Sequence, residues 1–215
     1  MKLVHYYHIY AINEWRRIVT EHLDALERSG LGNASELRIG VVGSLDDAEE
    51  AIAMCTERFP TKVIFKAVEG WEVDTIKQLY DDLDDDPNTY ILYTHTKGVL
   101  LNNDIWRRTM TKHLIYQWRD CVELLKTHDA TGCYWVTKEN SPGLAIQSYF
   151  AGHFWWVRQD FLSKLSHPGK YYGSRYVIEQ WFDEGNPNVA ELKEGRAGQW
   201  FDAPTFLPNN WNTTE

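Results

Sequence analysis

The strongest constraint on the fold is an alternation of two kinds of segment in the first hundred residues. Short branched or aromatic runs, Leu3 to Tyr10, Glu36 to Val42, Lys62 to Val68 and Tyr90 to Tyr93, read as strands. Between them lie runs whose apolar residues recur at helical spacing. In the first, Asn13 is the expected cap of a helix carrying Trp15, Ile18, Val19, His22, Leu23 and Leu26 and ending near Ser29-Gly30. In the second, Ser44 caps, Asp46 and Asp47 occupy the first turn, Ile52 and Cys55 face inward, and Pro60 closes it. The third, Trp71 to Leu83, carries Ile76, Leu79 and Tyr80. Such an alternation implies right-handed crossovers and a parallel sheet, with ligands gathered beyond the carboxyl ends of the strands. That rule selects His8 to Asn13, Gly43 to Asp46, Lys66 to Trp71 and His95 to Gly98. No GxGxxG or GxxxxGK[ST] run follows any strand, so a nucleotide site here is of another kind.

The fourth strand runs directly into Thr94, His95, Thr96, Lys97 and Gly98, and Asn103 or Asp104 then caps a helix whose first turn holds Trp106, Arg107 and Arg108. Imidazole, ammonium, guanidinium and helix amides converging on one place suit a polyphosphate. That helix is expected to run unbroken from Asp104 to His128, with Met110, Leu114, Trp118, Cys121, Val122 and Leu125 on its inner stripe. Thr131 to Thr137 and Ser148 to Val157 read as strands, the latter with a bulge or close approach at Gly152, and Gln159 to Leu165 and Ser174 to Asp183 as short helices. The acidic run Asp81, Asp82, Asp84, Asp85 and Asp86 falls at a helix end on the opposite edge from the strands' carboxyl ends, and reads as a solvated charge run rather than a metal site. We expect one domain over residues 1–193 and a tail over 194–215 that packs on it or orders partly.

A formal charge of -9, from 31 acidic and 22 basic residues, argues against nucleic acid as a default partner and against an anionic membrane surface. The three cysteines, Cys55, Cys121 and Cys133, form no CxxC pair and are expected to be reduced packing residues. The first ten residues carry two histidines where a signal peptide needs an unbroken apolar run, and nothing approaches a membrane span, so a cytoplasmic location is expected. The 10 Trp, 12 Tyr and 8 Phe are first of all core; an indole face also suits a pyranose.

With these residues in place the chain resembles the nucleotide-sugar-dependent glycosyltransferases of the GT-A fold. HTKG with the following WRR, His95 to Arg108, is similar to a motif of the rhamnan-synthesis-type and related bacterial and viral enzymes. GHFWWVRQDFLSKL and RYVIEQWF, Gly152 to Phe182, follow the family order of a glycine-aromatic strand, a short helix and an acidic residue before an apolar helix face. The resemblance implies a single Rossmann-like α/β domain, a mostly parallel sheet flanked by helices, and a hexosyl- or deoxyhexosyltransferase acting in polysaccharide biosynthesis. Its donor is a UDP-sugar or other nucleotide sugar, and its acceptor a hydroxyl on a glycan, or on a modified DNA base or protein in a viral setting.

The resemblance implies Glu179 as general base of an inverting reaction, with Glu69 and Asp183 as weaker substitutes. His95 and Lys97 act beside it. His8, Tyr10, Gly43, Asp46, Thr96, Gly98 and Arg107 hold the nucleotide sugar, and His153, Trp155 and Trp156 meet the sugar or acceptor. Strand alternation sends Trp155 and Trp156 to opposite faces, so only one of them can face a given site. Family members usually carry a DxD metal motif after the fourth strand; here the place reads Thr94-His95-Thr96, which leaves a requirement for Mn2+ or Mg2+ open, with His95, Lys97 and Arg107 as candidate substitutes for the ion's charge. A silent sugar- or nucleotide-binding module of the same fold is the alternative. A hydrolase lacks support, since no GxSxG or HExxH run is present.

Overall fold

The computed structural model of the protein describes residues 1–84, 86–99, 104–141, 147–171 and 178–193. In chain order its first half comprises β1 (Lys2–Ala11), α1 (Trp15–Ser29), the single turn α2 (Leu31–Ala34), β2 (Glu36–Gly43), α3 (Leu45–Thr56), β3 (Thr61–Ala67), α4 (Glu72–Asp81) and β4 (Thr89–His95). Its second half comprises α5 (Asp104–Thr111), a π-helical turn (Lys112–Tyr116), α6 (Trp118–Leu124), β5 (Ala130–Cys133), β6 (Trp135–Val136), β7 (Tyr149–Phe150), β8 (Trp155–Arg158), α7 (Gln159–Leu162), two 3-10 segments (Pro168–Tyr171 and Ile178–Gly185) and β9 (Val189–Lys193). The seven-stranded sheet has the order β3-β2-β1-β4-β8-β5-β9, and β6 and β7 form a separate ribbon. Within the seven-stranded sheet neighbours pair in parallel except β8, which is antiparallel to both β4 and β5, and the β6–β7 ribbon is antiparallel.

Two apolar layers hold the sheet. One face packs Tyr7, Ile9, Ile39, Leu92 and Trp156 against α1, α3 and the α5 to α6 segment. The other packs Val4, Tyr6, Ile91, Tyr93, Trp155 and Val157 against α4, α7 and the second 3-10 segment. Period-two alternation along β1, β4 and β8 makes this division. Each fully buried large side chain contributes about 1.5–3 kcal/mol, so the aromatic content is chiefly core.

The alternation of the first half is observed, with local corrections. Asn13 does not cap α1: it stands in the left-handed region at φ 52°, and its side-chain N–H donates to Val99 O at 2.8 Å, tying the end of β1 to the loop after β4. Ser44 does cap α3, its Oγ accepting from Asp47 N, and Gly30 ends α1 in the left-handed conformation. The acidic run lies at the amino edge, where Asp82 pairs with Arg38 at 3.0 Å and Asp84 accepts from Gln159 at 2.6 Å; Asp85 lies outside the described residues.

The second half departs further from the sequence reading. The helix from Asp104 is not continuous: Trp156 Nε1 donates to Leu114 O at 2.8 Å and Cys121 Sγ to His113 O, drawing carbonyls of the π turn away from a regular ladder. Thr131 to Thr137 is split at Tyr134, whose φ of 61° ends β5 and starts the ribbon. Ser148 to Val157 is split at Gly152 and His153, with φ 94° and 58°, between β7 and β8. β9 has no counterpart in the sequence reading. Of the helix expected over Ser174 to Asp183, the described part from Ile178 is a 3-10 segment, and residues 174–177 and the tail 194–215 lie outside the described residues.

Candidate functional site

Strand pairing aligns His8 of β1 with His95 of β4 on one side and with Gly40 of β2 on the other. Gly40 is required there, because a Cβ would stand 2.0 Å from Thr75 Oγ1 of α4. The close approach lets Thr75 Oγ1 meet His8 Nδ1 at 2.7 Å. It also brings the first turn of α4 to the carboxyl edge, where Asp74 accepts from Trp71 N at 2.9 Å and closes the turn.

Glu72 thereby stands at the middle of a cluster. Its Oε2 accepts from His153 Nδ1 at 2.9 Å, and its Oε1 lies 3.4 Å from His95 Nδ1. His95 Nε2 donates to Gly152 O at 2.9 Å. Gly152 is placed by α5: a Cβ there would meet Met110 Sδ at 2.8 Å and Trp106 Nε1 at 3.0 Å. Burial opposes the charge of Glu72; the imidazoles of His95, His153 and His8 draw its carboxyl below the usual range when protonated, and the hydrogen bond from His153 Nδ1 does so whether or not that ring is charged. Burial lowers His95 to about 3 and His8 to about 4, so both are neutral near pH 7. Burial, reinforced by the carboxylates of Glu72 and Glu179, pushes the Tyr93 hydroxyl well above the phenol range, which puts Glu179 within electrostatic reach of the same group.

The other expected site residues distribute as follows. Tyr10 is half-buried, with its ring 6.4 Å from that of Trp71, which is 48% exposed. Asp46 is exposed at the start of α3, and Gly43 is a close approach to Ala11, where a Cβ would meet Ala11 Cβ at 2.8 Å. Thr96 is buried and ties the strand ends, its Oγ1 accepting from Tyr10 N at 2.8 Å. Gly98 turns the chain at φ 97°. Lys97 is half-buried with its ammonium 4.2 Å from the Trp106 ring centroid.

Three expectations are corrected by burial or bonding. Arg107 does not reach toward a ligand: its guanidinium is taken by Glu21 (2.7 Å), Asp104 (2.7 Å) and Lys97 O (3.0 Å). His95 does not carry the positive charge expected of it, because burial keeps it neutral. Trp156 is fully buried on the α1 side and presents no face to a sugar; the Trp155 ring is equally buried on the α4 side, stacked on Tyr93 at 5.0 Å, so its face is closed as well and its indole N–H is left without a hydrogen-bond partner among the described residues. Of the two substitute carboxylates, Glu69 is exposed and Asp183 half-buried.

The place of a DxD motif does not suit a divalent ion. Thr94 Oγ1 is bonded to His5 at 2.8 Å, and His95 Nε2 and Thr96 Oγ1 are committed as described. Among the described residues no group of three or more His, Cys, Asp or Glu side chains is arranged to hold a metal. A cavity of about 190 Å3 does open, but between α1 and α5 with the end of the π turn, lined by Glu21, His22, Arg28, Arg107, Arg108 and Tyr116 among others. None of the strand-end cluster lines it, and Arg107 and Arg108 there are paired with Glu21, so the chemistry points to the strand edge instead. Among the described residues no helix is long and apolar enough to cross a membrane.

Glu72 and Tyr93 escaped the sequence reading. Glu72 directly follows the segment that the strand-end rule selects, and a carboxylate in a first helical turn reads as a dipole partner. Its two imidazoles, which distinguish it, come from the end of β4 and from the turn between β7 and β8, both distant in sequence.

The fold is GT-A-like α/β. A Desulfovibrio desulfuricans G20 protein assigned as a nucleotide-diphospho-sugar transferase superposes with a TM-score of 0.50 at 12% identity, over 90% of this chain and 81% of that one. The 4-diphosphocytidyl-2C-methyl-D-erythritol synthase of Anaerococcus prevotii DSM 20548 gives the same score and identity over 88% and 86%. The chain belongs to the family DUF8361, described as a domain of unknown function, whose model matches residues 6–201. No curated protein matches it at the level of sequence.

Proposed function

We propose that the protein transfers a sugar from a nucleoside-diphosphate sugar to a hydroxyl acceptor. The observation that carries this reading is the Glu72–His95–His153 cluster at the carboxyl edge, where the Tyr10–Trp71 pair and Lys97 also stand at the ends of β1, β3 and β4. Ligands of open α/β sheets gather at this edge, and the superposed proteins share the fold. Tyr10 and the exposed ring of Trp71 flank a base, with Asp46 and Gly43 beside it, while Thr96 and Gly98 shape the loop that presents Lys97 to the diphosphate. Lys97 stabilises the leaving group, a role electrostatic in kind and sensitive to position.

Glu179 is the base that takes the acceptor proton in an inverting reaction. Glu72 is unsuited to that role, because both its oxygens face imidazoles and its basicity is suppressed. The donor is a UDP-sugar or related nucleotide sugar, the acceptor a glycan, with a modified base or protein in a viral setting, and the location cytoplasmic. Kinship with the rhamnan-synthesis type belongs to the same proposal, as do a domain over 1–193 and a tail over 194–215 packed on it or partly ordered.

One observation favours the alternative, a silent binding module. With His95 neutral and Arg107 occupied, two of the three cations expected on the diphosphate are withdrawn. A thermal-shift screen against UDP-glucose, GDP-mannose, dTDP-rhamnose and CMP-sialic acid, with and without Mn2+, followed by assay of released nucleotide, tests both readings. A transferase releases nucleotide and loses at least a hundredfold in turnover in Glu179→Gln with little change in binding. A module binds without release, and no shift with any donor at millimolar concentration refutes the proposal.

A further inference from the structure

Tyr93, His153 and Trp155 are each fully buried, and each carries one polar atom, Tyr93 Oη, His153 Nε2 and Trp155 Nε1, with no hydrogen-bond partner among the described residues. The three rings are neighbours. Tyr93 and Trp155 are direct partners across β4 and β8 with centroids 5.0 Å apart, and the His153 ring lies 5.2 Å from Tyr93 and 6.0 Å from Trp155. A buried polar group without a partner forfeits its hydration with nothing in return, so three together are a heavy penalty for a packing accident. His153 also takes a left-handed φ of 58°, a backbone state that costs free energy and concentrates at ligand sites. Of the other buried atoms of this kind, those on His5 and Tyr7 lie on the opposite face of the sheet beside His22 of α1 and do not join the cluster.

The donor and acceptor character of the set follows from the side chains and from the one bond to Glu72. A carboxylate accepts and does not donate, so the bond to Glu72 places a proton on His153 Nδ1, and in the singly protonated ring Nε2 is then an acceptor. Trp155 Nε1 can only donate, and Tyr93 Oη does either. A group that satisfies the set must donate to one atom and accept from another, as a hydroxyl does. A phosphate or carboxylate oxygen cannot donate, and it would stand in the field of Glu72 and Glu179. The Glu72 side chain, 24% exposed, is the edge at which the cluster meets solvent.

We infer that Tyr93, His153 and Trp155 form a subsite for one neutral hydroxyl of a sugar, held between Glu72 and Glu179; this rests on the transferase reading. The hydroxyl belongs either to the donor sugar or to the acceptor, and two binding measurements separate them. In the first, calorimetry compares UDP-glucose, GDP-mannose and dTDP-rhamnose with UDP, GDP and dTDP. In the second, the methyl glycosides of glucose, mannose and rhamnose are titrated into protein saturated with the nucleoside diphosphate. Tyr93→Phe removes only the hydroxyl. His153→Asn tolerates the left-handed backbone and keeps an N–H toward Glu72 while removing the Nε2 acceptor.

Both variants are expected to lose at least tenfold in the affinity the sugar adds, with the diphosphate alone unchanged, in the first measurement for a donor hydroxyl and in the second for an acceptor hydroxyl. Unchanged sugar affinity in both, with Tyr93→Phe melting higher than the parent, means that water or nothing fills the subsite; the inference then falls and the transferase reading stands. Failure of the parent protein to bind any of the nucleotide sugars removes the transferase reading, and the subsite with it.

Discussion

His153 Nδ1 donates to Glu72 Oε2 at 2.9 Å from a backbone held at φ 58°. The bond joins the first turn of α4 to the turn between β7 and β8, segments that the sheet order alone brings together. A charge-assisted bond of this kind offsets the backbone strain of the turn that carries it.

Glu72→Gln keeps the volume and removes the charge. It is expected to cost about 1–3 kcal/mol, lowering Tm by several degrees for a chain of this size. Calorimetry reads the change, and an unaltered Tm would show that the carboxylate does not hold His153.

Four buried histidines make the fold acid-sensitive. Burial lowers His5 to about 3, His8 to about 4, His95 to about 3 and His22 well below its usual value. Above pH ~6.5 these groups are neutral in both folded and unfolded chains, and their contribution is fully present. As pH falls below that value the unfolded chain binds protons that the folded one refuses, so stability drops by about 1.4 kcal/mol per pH unit for each group until the folded values are reached. Melting curves should therefore fall steeply from pH 6.5 toward 4, and a flat profile over that range would show that the imidazoles are solvated or charged.

Two glycine substitutions separate space from backbone conformation. Gly40→Ala drives a Cβ into Thr75 Oγ1 and breaks its bond to His8, for an expected loss of about 1–3 kcal/mol from overpacking and about 1 more from the bond. Gly30→Ala meets nothing within 4 Å and costs only the left-handed conformation, about 1–2 kcal/mol. Urea unfolding should rank Gly40→Ala as the more damaging; the reverse order would mean that α4 yields at Thr75.

Trp156→Phe removes the donor that holds Leu114 O in the π turn. Leaving that carbonyl unpaired is expected to cost about 1–3 kcal/mol and to speed hydrogen exchange in residues 112–121 above all. Exchange that rises uniformly would mean that the turn is held by other contacts.

Lys97→Met tests the edge as a working site. The ammonium lies over Trp106, an interaction worth about 0.5–1 kcal/mol when exposed, so Tm should move little. Turnover measured as nucleotide release should fall at least a hundredfold, as for loss of a group that stabilises developing charge. Retained turnover would show that other groups meet the diphosphate.

Local sequence accounts for the first half of the fold. Strand and helix periods, the Ser44 cap and the Gly30 stop are short-range signals, and such signals survive tertiary packing when an element buries one continuous face. They also sufficed to select the strand ends where His8, His95, Lys97 and Tyr10 stand. Long-range packing set the rest. The π turn exists because Trp156 and Cys121 draw carbonyls from His113 and Leu114, the two long strand readings break at Tyr134 and Gly152 where φ turns positive, and β9 finds a place only beside β5. The same holds for chemistry. Whether a histidine is charged, whether an arginine is available and whether Glu72 is an ordinary helix-start carboxylate all depend on burial and on partners far along the chain, and neither has a local signature.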